Sequence, residues 1–134
     1  MKFEELKVGM SYKLSKAFSR NEVLLFSELS LDNNPVHIDK EYGKNSRFKE
    51  NIVHGFLSGS LFSAIIGTKL PGEGSIYMSQ EMNFRRPIYI DQEITSIVTI
   101  KEIDSTKRTV LLTTTCVDTE DNILIEGFAK VKIL

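Results

Sequence analysis

The 134-residue chain carries 17 Lys and Arg against 18 Asp and Glu, a formal net charge of −1, with 41% hydrophobic and 26% charged residues. That length and balance describe a single globular domain, residues 1–134, and exclude a disordered chain or a surface basic enough to hold a nucleic-acid backbone. One cysteine and two histidines exclude an internal disulfide, a Cys-rich zinc site and a His-rich metal site.

The N-terminus, Met1 to Glu5, has no apolar run and no small-residue cleavage site. The longest apolar stretch, 56–67, contains three serines and falls short of the about 20 residues that a bilayer requires. The expected location is therefore the cytoplasm. A short strand is expected near 11–16 (SYKLSK). Residues 21–30 (NEVLLFSELS) place Val23, Leu24, Leu25, Phe26 and Leu29 at the spacing of an amphipathic helix, with Ser19 or Asn21 as its cap. The next stretch, LDNNPVHIDKEYG, is dense in turn-forming residues, and Pro35 pushes Asn34 out of the helical region. A polar loop of this kind in a small domain is a common place for function.

Residues 55–68 (GFLSGSLFSAIIGT) carry Phe56, Leu57, Leu61, Phe62, Ile65 and Ile66 around the whole helical wheel, the pattern of a buried helix. Gly55, Gly59, Ser63 and Gly67 recur every four residues and leave one face almost bare. Each glycine costs about 1 kcal/mol against alanine. Either a closely packed sheet or a ligand would offset that cost. Four long strands follow. In 74–86, Ile76, Met78, Met82 and Phe84 largely share one parity; the others are 93–103, 108–118 and 122–133. A helical first half followed by a strand-rich second half indicates an α+β architecture, an antiparallel sheet of about five strands wrapped around the buried helix.

Few side chains are available for chemistry. Asp32 and His37 lie five positions apart in the loop, and His54 directly precedes Gly55. A carboxylate and an imidazole together hold a water and exchange its protons near neutral pH. Free backbone N–H groups at Gly55, reinforced by the helix dipole, would face a developing negative oxygen. Plainer roles stand beside these. Asp32 and Asn33 could end the first helix, and His37 could be an ordinary hydrogen-bonded histidine. His54 is expected to donate to a backbone carbonyl and fix the start of the helix. Cys116 reads as a sheet residue. Arg85 and Arg86 read as a solvated strand end or as phosphate contacts.

Taken in order, Asp32-x-Asn34-Pro35-x-His37, Ile52-Val53-His54-Gly55, Ser60-Leu61-Phe62-Ser63, Leu70-Pro71-Gly72 and Phe84-Arg85-x-Pro87 resemble the MaoC-like hydratases. The likeness is strongest to their short, single-domain (R)-specific enoyl-CoA hydratases of polyhydroxyalkanoate metabolism, and it runs from about Leu6 to Leu134. One departure is Asp91-Gln92, where many members have Gly-Asp in a turn between strands. The resemblance implies a hot-dog fold, a homodimer with sheets joined edge to edge, and reversible syn hydration of trans-2-enoyl-CoA to (R)-3-hydroxyacyl-CoA. It implies Asp32 and His37 as the catalytic pair, Gly55 as backbone donor to the thioester oxygen, and Asn34, Ser63 and His54 in support. No cofactor and no metal are implied. The anionic CoA would then need local positive charge, for which Arg85, Arg86, Lys44 and Arg47 are the available set. Two alternatives remain open: a 3-hydroxyacyl-carrier-protein dehydratase, and a module that binds acyl-CoA without turnover.

Overall fold

The computed structural model describes residues 1–134. After a short 3-10 turn at Phe3–Glu5, the elements are β1 (Ser11–Ala17), α1 (Arg20–Ser30), α2 (Pro35–Ile38), α3 (Lys40–Asn45), α4 (Gly55–Thr68), β2 (Ser75–Phe84), β3 (Glu93–Asp104), β4 (Thr109–Val117) and β5 (Ile123–Ile133). The five strands form one antiparallel sheet in the order β1-β3-β4-β5-β2. Only β3, β4 and β5 are a simple meander. β1 and β2 come from before and after α4 and occupy opposite edges. α4 packs across the sheet face, touching β1, β2 and β3. This is the expected hot-dog arrangement. Even α4, at 14 residues, is too short to cross a membrane, and no helix is long and apolar enough to do so.

Each element follows from its residues, with instructive differences. Of the two expected caps, Ser19 and Asn21, it is Ser19 that caps α1, and Glu22 reaches back to its amide in a reciprocal capping box. The apolar stripe expected on α1 is mostly outside, however. Val23 and Ser27 are buried, while Leu24, Leu25 and Leu29 are exposed. The loop after α1 contains two short helices that its turn-forming residues concealed, each started by a side chain: Asn34 accepts the Val36 amide and Asp39 the Tyr42 amide.

In α4, Leu61, Phe62, Ile65 and Ile66 enter the core with Val98, Ile100, Leu112, Ala129 and Val131 of the sheet. Phe56 instead stands out from the surface. Close packing explains half of the small-residue stripe. A Cβ on Gly55 would lie 2.7 Å from the Phe84 ring, and one on Gly59 would lie 2.5 Å from the Met82 sulfur. Gly67 meets nothing. The single parity read along β2 is broken by a register shift between Tyr77 and Ser79, and Ile76, Met78 and Phe84 are exposed. β2 is an edge strand without a neighbour on its outer side. In the turn before β3, Asp91 adopts φ 66°, and the Gln92 side chain accepts the Tyr89 amide. A left-handed turn is thus built here without glycine.

Candidate active site

Asp32 stands on a short, strained turn. Leu31 ends α1 in the left-handed region at φ 68°, a conformation costing a leucine about 1–2 kcal/mol. The chain reverses there. The Asp32 amide donates to Ser30 Oγ, and its carboxylate accepts the Asn34 amide, both at 3.2 Å. Asn34 thus supports the turn and starts α2, but its side chain is spent on the Val36 amide.

His37 follows one turn later. Its Nδ1 lies 2.7 Å from the Ile52 carbonyl oxygen. A carbonyl only accepts, so Nδ1 carries the proton and Nε2 keeps its lone pair. The acceptor is itself held: Val53 donates to the Ile88 carbonyl at 2.7 Å, and Ile52 bridges to Tyr89.

His54 is the residue before α4 and is 1% exposed. Its Nε2 lies 2.9 Å from Ser27 Oγ and 3.2 Å from the Asp32 carbonyl oxygen, so the expected bond to a backbone carbonyl is present. The His37 and His54 rings stack, with centroids 3.9 Å apart and planes at 26°. Burial, and then the neighbouring His37, hold the His54 imidazole below its ordinary range. His54 is therefore neutral where an exposed histidine would begin to charge.

Ligand-capable atoms of Asp32, His37 and His54 all lie within 4.8 Å of one another. The set fits a metal poorly. Stacked rings aim their nitrogens side by side rather than at one tetrahedral centre, and His54 Nε2 is already engaged. A proton shared between a carboxylate and an imidazole suits this geometry better.

A cleft of about 420 Å³ opens beside the cluster. Asp32, His37, His54 and Gly55 form its polar end, and Phe56, Phe84, Ile88 and Ile125 contribute apolar surface. Gly55 and Phe56 are the first two residues of α4, so their amides have no acceptor within the helix. Arg47, Arg85 and Arg86 also line the cleft and are exposed, which puts them at its mouth. Arg85 faces Glu126 at 3.6 Å. Three expected residues lie outside the lining. Asn34 is exposed at the start of α2, Ser63 is exposed about two turns further along α4, and Lys44 is exposed on α3. The resemblance implied Ser63 in support of the pair, but eight residues of α-helix carry it about 12 Å from Gly55.

The profile of the MaoC-like domain matches residues 4–122. The chain belongs to the MaoC-like dehydratase family. An (R)-specific enoyl-CoA hydratase of Rhodospirillum rubrum is 39% identical over 131 residues, 98% of this chain and 90% of that one. The solved (R)-hydratase from Aeromonas caviae involved in PHA biosynthesis superimposes with a TM-score of 0.95 at 37% identity, covering 98% of this chain and 99% of that one. A mitochondrial 3-hydroxyacyl-[acyl-carrier-protein] dehydratase of Solanum lycopersicum is 38% identical over 127 residues, 92% of this chain and 75% of that one. Hydration and dehydration are one reversible reaction, and this MaoC-like chain is a hydro-lyase.

The sequence reading of this MaoC-like site missed Ser27 and Asn51. Asn51 donates to the Val36 and Asp39 carbonyls at 3.0 and 2.8 Å and accepts from Arg20, tying α2 to the segment that leads into α4. Ser27 acts across 27 positions of the chain and Asn51 across 12, 15 and 31, separations that no local pattern signals.

Proposed function

We propose that this chain is an (R)-specific enoyl-CoA hydratase, adding water reversibly and syn across trans-2-enoyl-CoA to give (R)-3-hydroxyacyl-CoA. The observation that carries this reading is the meeting of Asp32, His37 and the start of α4 at one end of a partly apolar cleft. The Asp32 carboxylate accepts one hydrogen of the water and orients it. His37 Nε2 takes the other as the water oxygen bonds to C3. Electron density moves to the thioester oxygen, which the Gly55 amide stabilises as an enolate. The proton on His37 then passes to C2, on the face where the hydroxyl arrived. The acyl chain lies along Phe56, Phe84 and Ile125, and Arg47, Arg85 and Arg86 face the CoA phosphates. Lys44 is not part of this set.

The test is hydration of crotonyl-CoA, followed by loss of enoyl-thioester absorbance, with the product offered to (R)- and (S)-specific 3-hydroxyacyl-CoA dehydrogenases. Oxidation by the (R)-specific enzyme alone is expected. No absorbance change, or an (S)-product, overturns the reading. The tomato relative supports a second carrier, an acyl carrier protein. Turnover on the carrier thioester well above that on CoA would decide for it, and tight binding of crotonyl-CoA without product would leave only a binding module.

The homodimer is part of the same proposal, and the sheet edges say which strand would join it. β1 ends the sheet with Lys13 and Lys16, charges that discourage strand addition. β2 carries no lysine or arginine and exposes Ile76, Tyr77, Met78 and Phe84. Sedimentation at micromolar concentration should give twice the chain mass. A Tyr77→Lys, Met78→Lys double variant should move it toward the monomer, and a monomeric wild type overturns the dimer.

A further inference from the structure

We propose that Ser27, on the buried side of α1, is a positioning residue for the acid–base pair and acts through the imidazole of His54. The proposal rests on the hydratase reading of Asp32 and His37 and adds to it the element that holds them.

Ser27 is 3% exposed in the middle of a helix whose large apolar residues mostly point outward. A buried hydroxyl is unfavourable there without a partner. Its partner is His54 Nε2, at 2.9 Å. The same nitrogen faces the Asp32 carbonyl at 3.2 Å, and that oxygen can only accept. Nε2 therefore carries the proton and donates to both oxygens. Nδ1 is then the lone-pair nitrogen, and it is buried with no partner in the protein.

An imidazole with one nitrogen unpartnered can exchange tautomers or turn. The Asp32 carbonyl fixes the tautomer, because the Nδ1–H form would aim the Nε2 lone pair at it; the Ser27 hydroxyl, able to donate or accept, is the second anchor of Nε2 and opposes the turning of the ring. Everything around the ring depends on that orientation. Its face supports His37, its N–H holds the Asp32 backbone, and Phe26 of α1 meets it edge-on at 4.8 Å. The titratable groups facing it are His37 from α2 and Asp32 from the preceding loop; Arg47, Arg85 and Arg86 are the charges of the adjoining cleft. A neutral, immobile ring behind His37 leaves the transferred proton to His37 and Asp32.

The chain has only two histidines, so imidazole nitrogen NMR resolves each ring. In the wild type, His54 is expected as the Nε2–H tautomer throughout the titration of His37. Observation of the Nδ1–H tautomer overturns the proposal without any variant. In Ser27→Ala, the Asp32 carbonyl should keep His54 as Nε2–H while the ring loses its second anchor, so the expected result is shifted His54 ring-nitrogen signals and a kcat lowered about tenfold, a factor that one buried hydrogen bond supports. KM for crotonyl-CoA should change less than twofold. Ser27→Thr, which returns the hydroxyl, should restore both the ring-nitrogen signals and kcat. Wild-type His54 signals and kcat in Ser27→Ala overturn the positioning role. Asp32→Asn, measured alongside, separates the two levels. If it is inactive while Ser27→Ala is normal, only the role of Ser27 fails; if it is fully active, the acid–base reading fails and the positioning role with it.

Discussion

Asp32→Asn is expected to lower kcat for enoyl-CoA hydration by about 10²–10⁴-fold, the range for a positioned acid–base group. The fold should be unchanged. Asp32 is exposed, and its one side-chain bond, to the Asn34 amide, needs only an accepting oxygen, which asparagine keeps. His37→Gln should lose activity to a similar degree. Glutamine can still donate to the Ile52 carbonyl, but it has no nitrogen lone pair to take a proton. The two groups act on one water, so the double variant should be little worse than either single one. The measurement is loss of enoyl-thioester absorbance under saturating substrate, with circular dichroism confirming the fold. Near-wild-type turnover in either single variant would remove the proposed mechanism.

The second large effect falls far from the chemistry. Gly127→Ala in β5 is expected to destabilise the protein by about 4 kcal/mol or more, in the range reserved for severe packing faults. A Cβ there would overlap the Glu81 carbonyl, and Met82 Cα lies 3.2 Å away. These are main-chain atoms of β2, so no side chain can move aside. Relief requires parting β2 from β5, and β2 carries Met82 and Phe84, which pack on the first turns of α4. Gly67→Ala is the control. Nothing lies within 4 Å of its added carbon, and alanine should stabilise the helix by up to about 1 kcal/mol. Thermal unfolding of the two variants should thus move in opposite directions. An unchanged midpoint for Gly127→Ala would mean that the sheet yields there more easily than its packing suggests.

Where sequence patterns were local, they were legible. The cap at Ser19, the apolar wheel of α4 and the four long strands each depend on neighbours a few positions apart. The motifs around Asp32, His37 and Gly55 pointed to residues that do line one cleft. What stayed hidden was long-range. That β2 joins β5 rather than the next strand, β3, leaves no mark in the letters of β2 itself. Its bulge at Met78 then breaks the parity of a strand that looks regular as letters. The outward face of α1 was misread because the composition of Leu24, Leu25 and Leu29 says apolar but does not say covered. The supporting place that the resemblance implied for Ser63 fails on distance, since about two turns of α4 separate it from Gly55.

The bond from His37 to residue 52 goes to a main-chain oxygen. Every amino acid supplies that oxygen, so no substitution of the Ile52 side chain can delete the acceptor. Mutation can reach it only by shifting the backbone that Val53 and Tyr89 pin. The bond behind His54 is built the other way. It needs a hydroxyl at position 27, and a single codon change can erase it. The two imidazoles are therefore unequally insured against genetic drift. Variation in rate among diverged copies of this chain should trace to the α1 side of the stack sooner than to the side that faces residue 52.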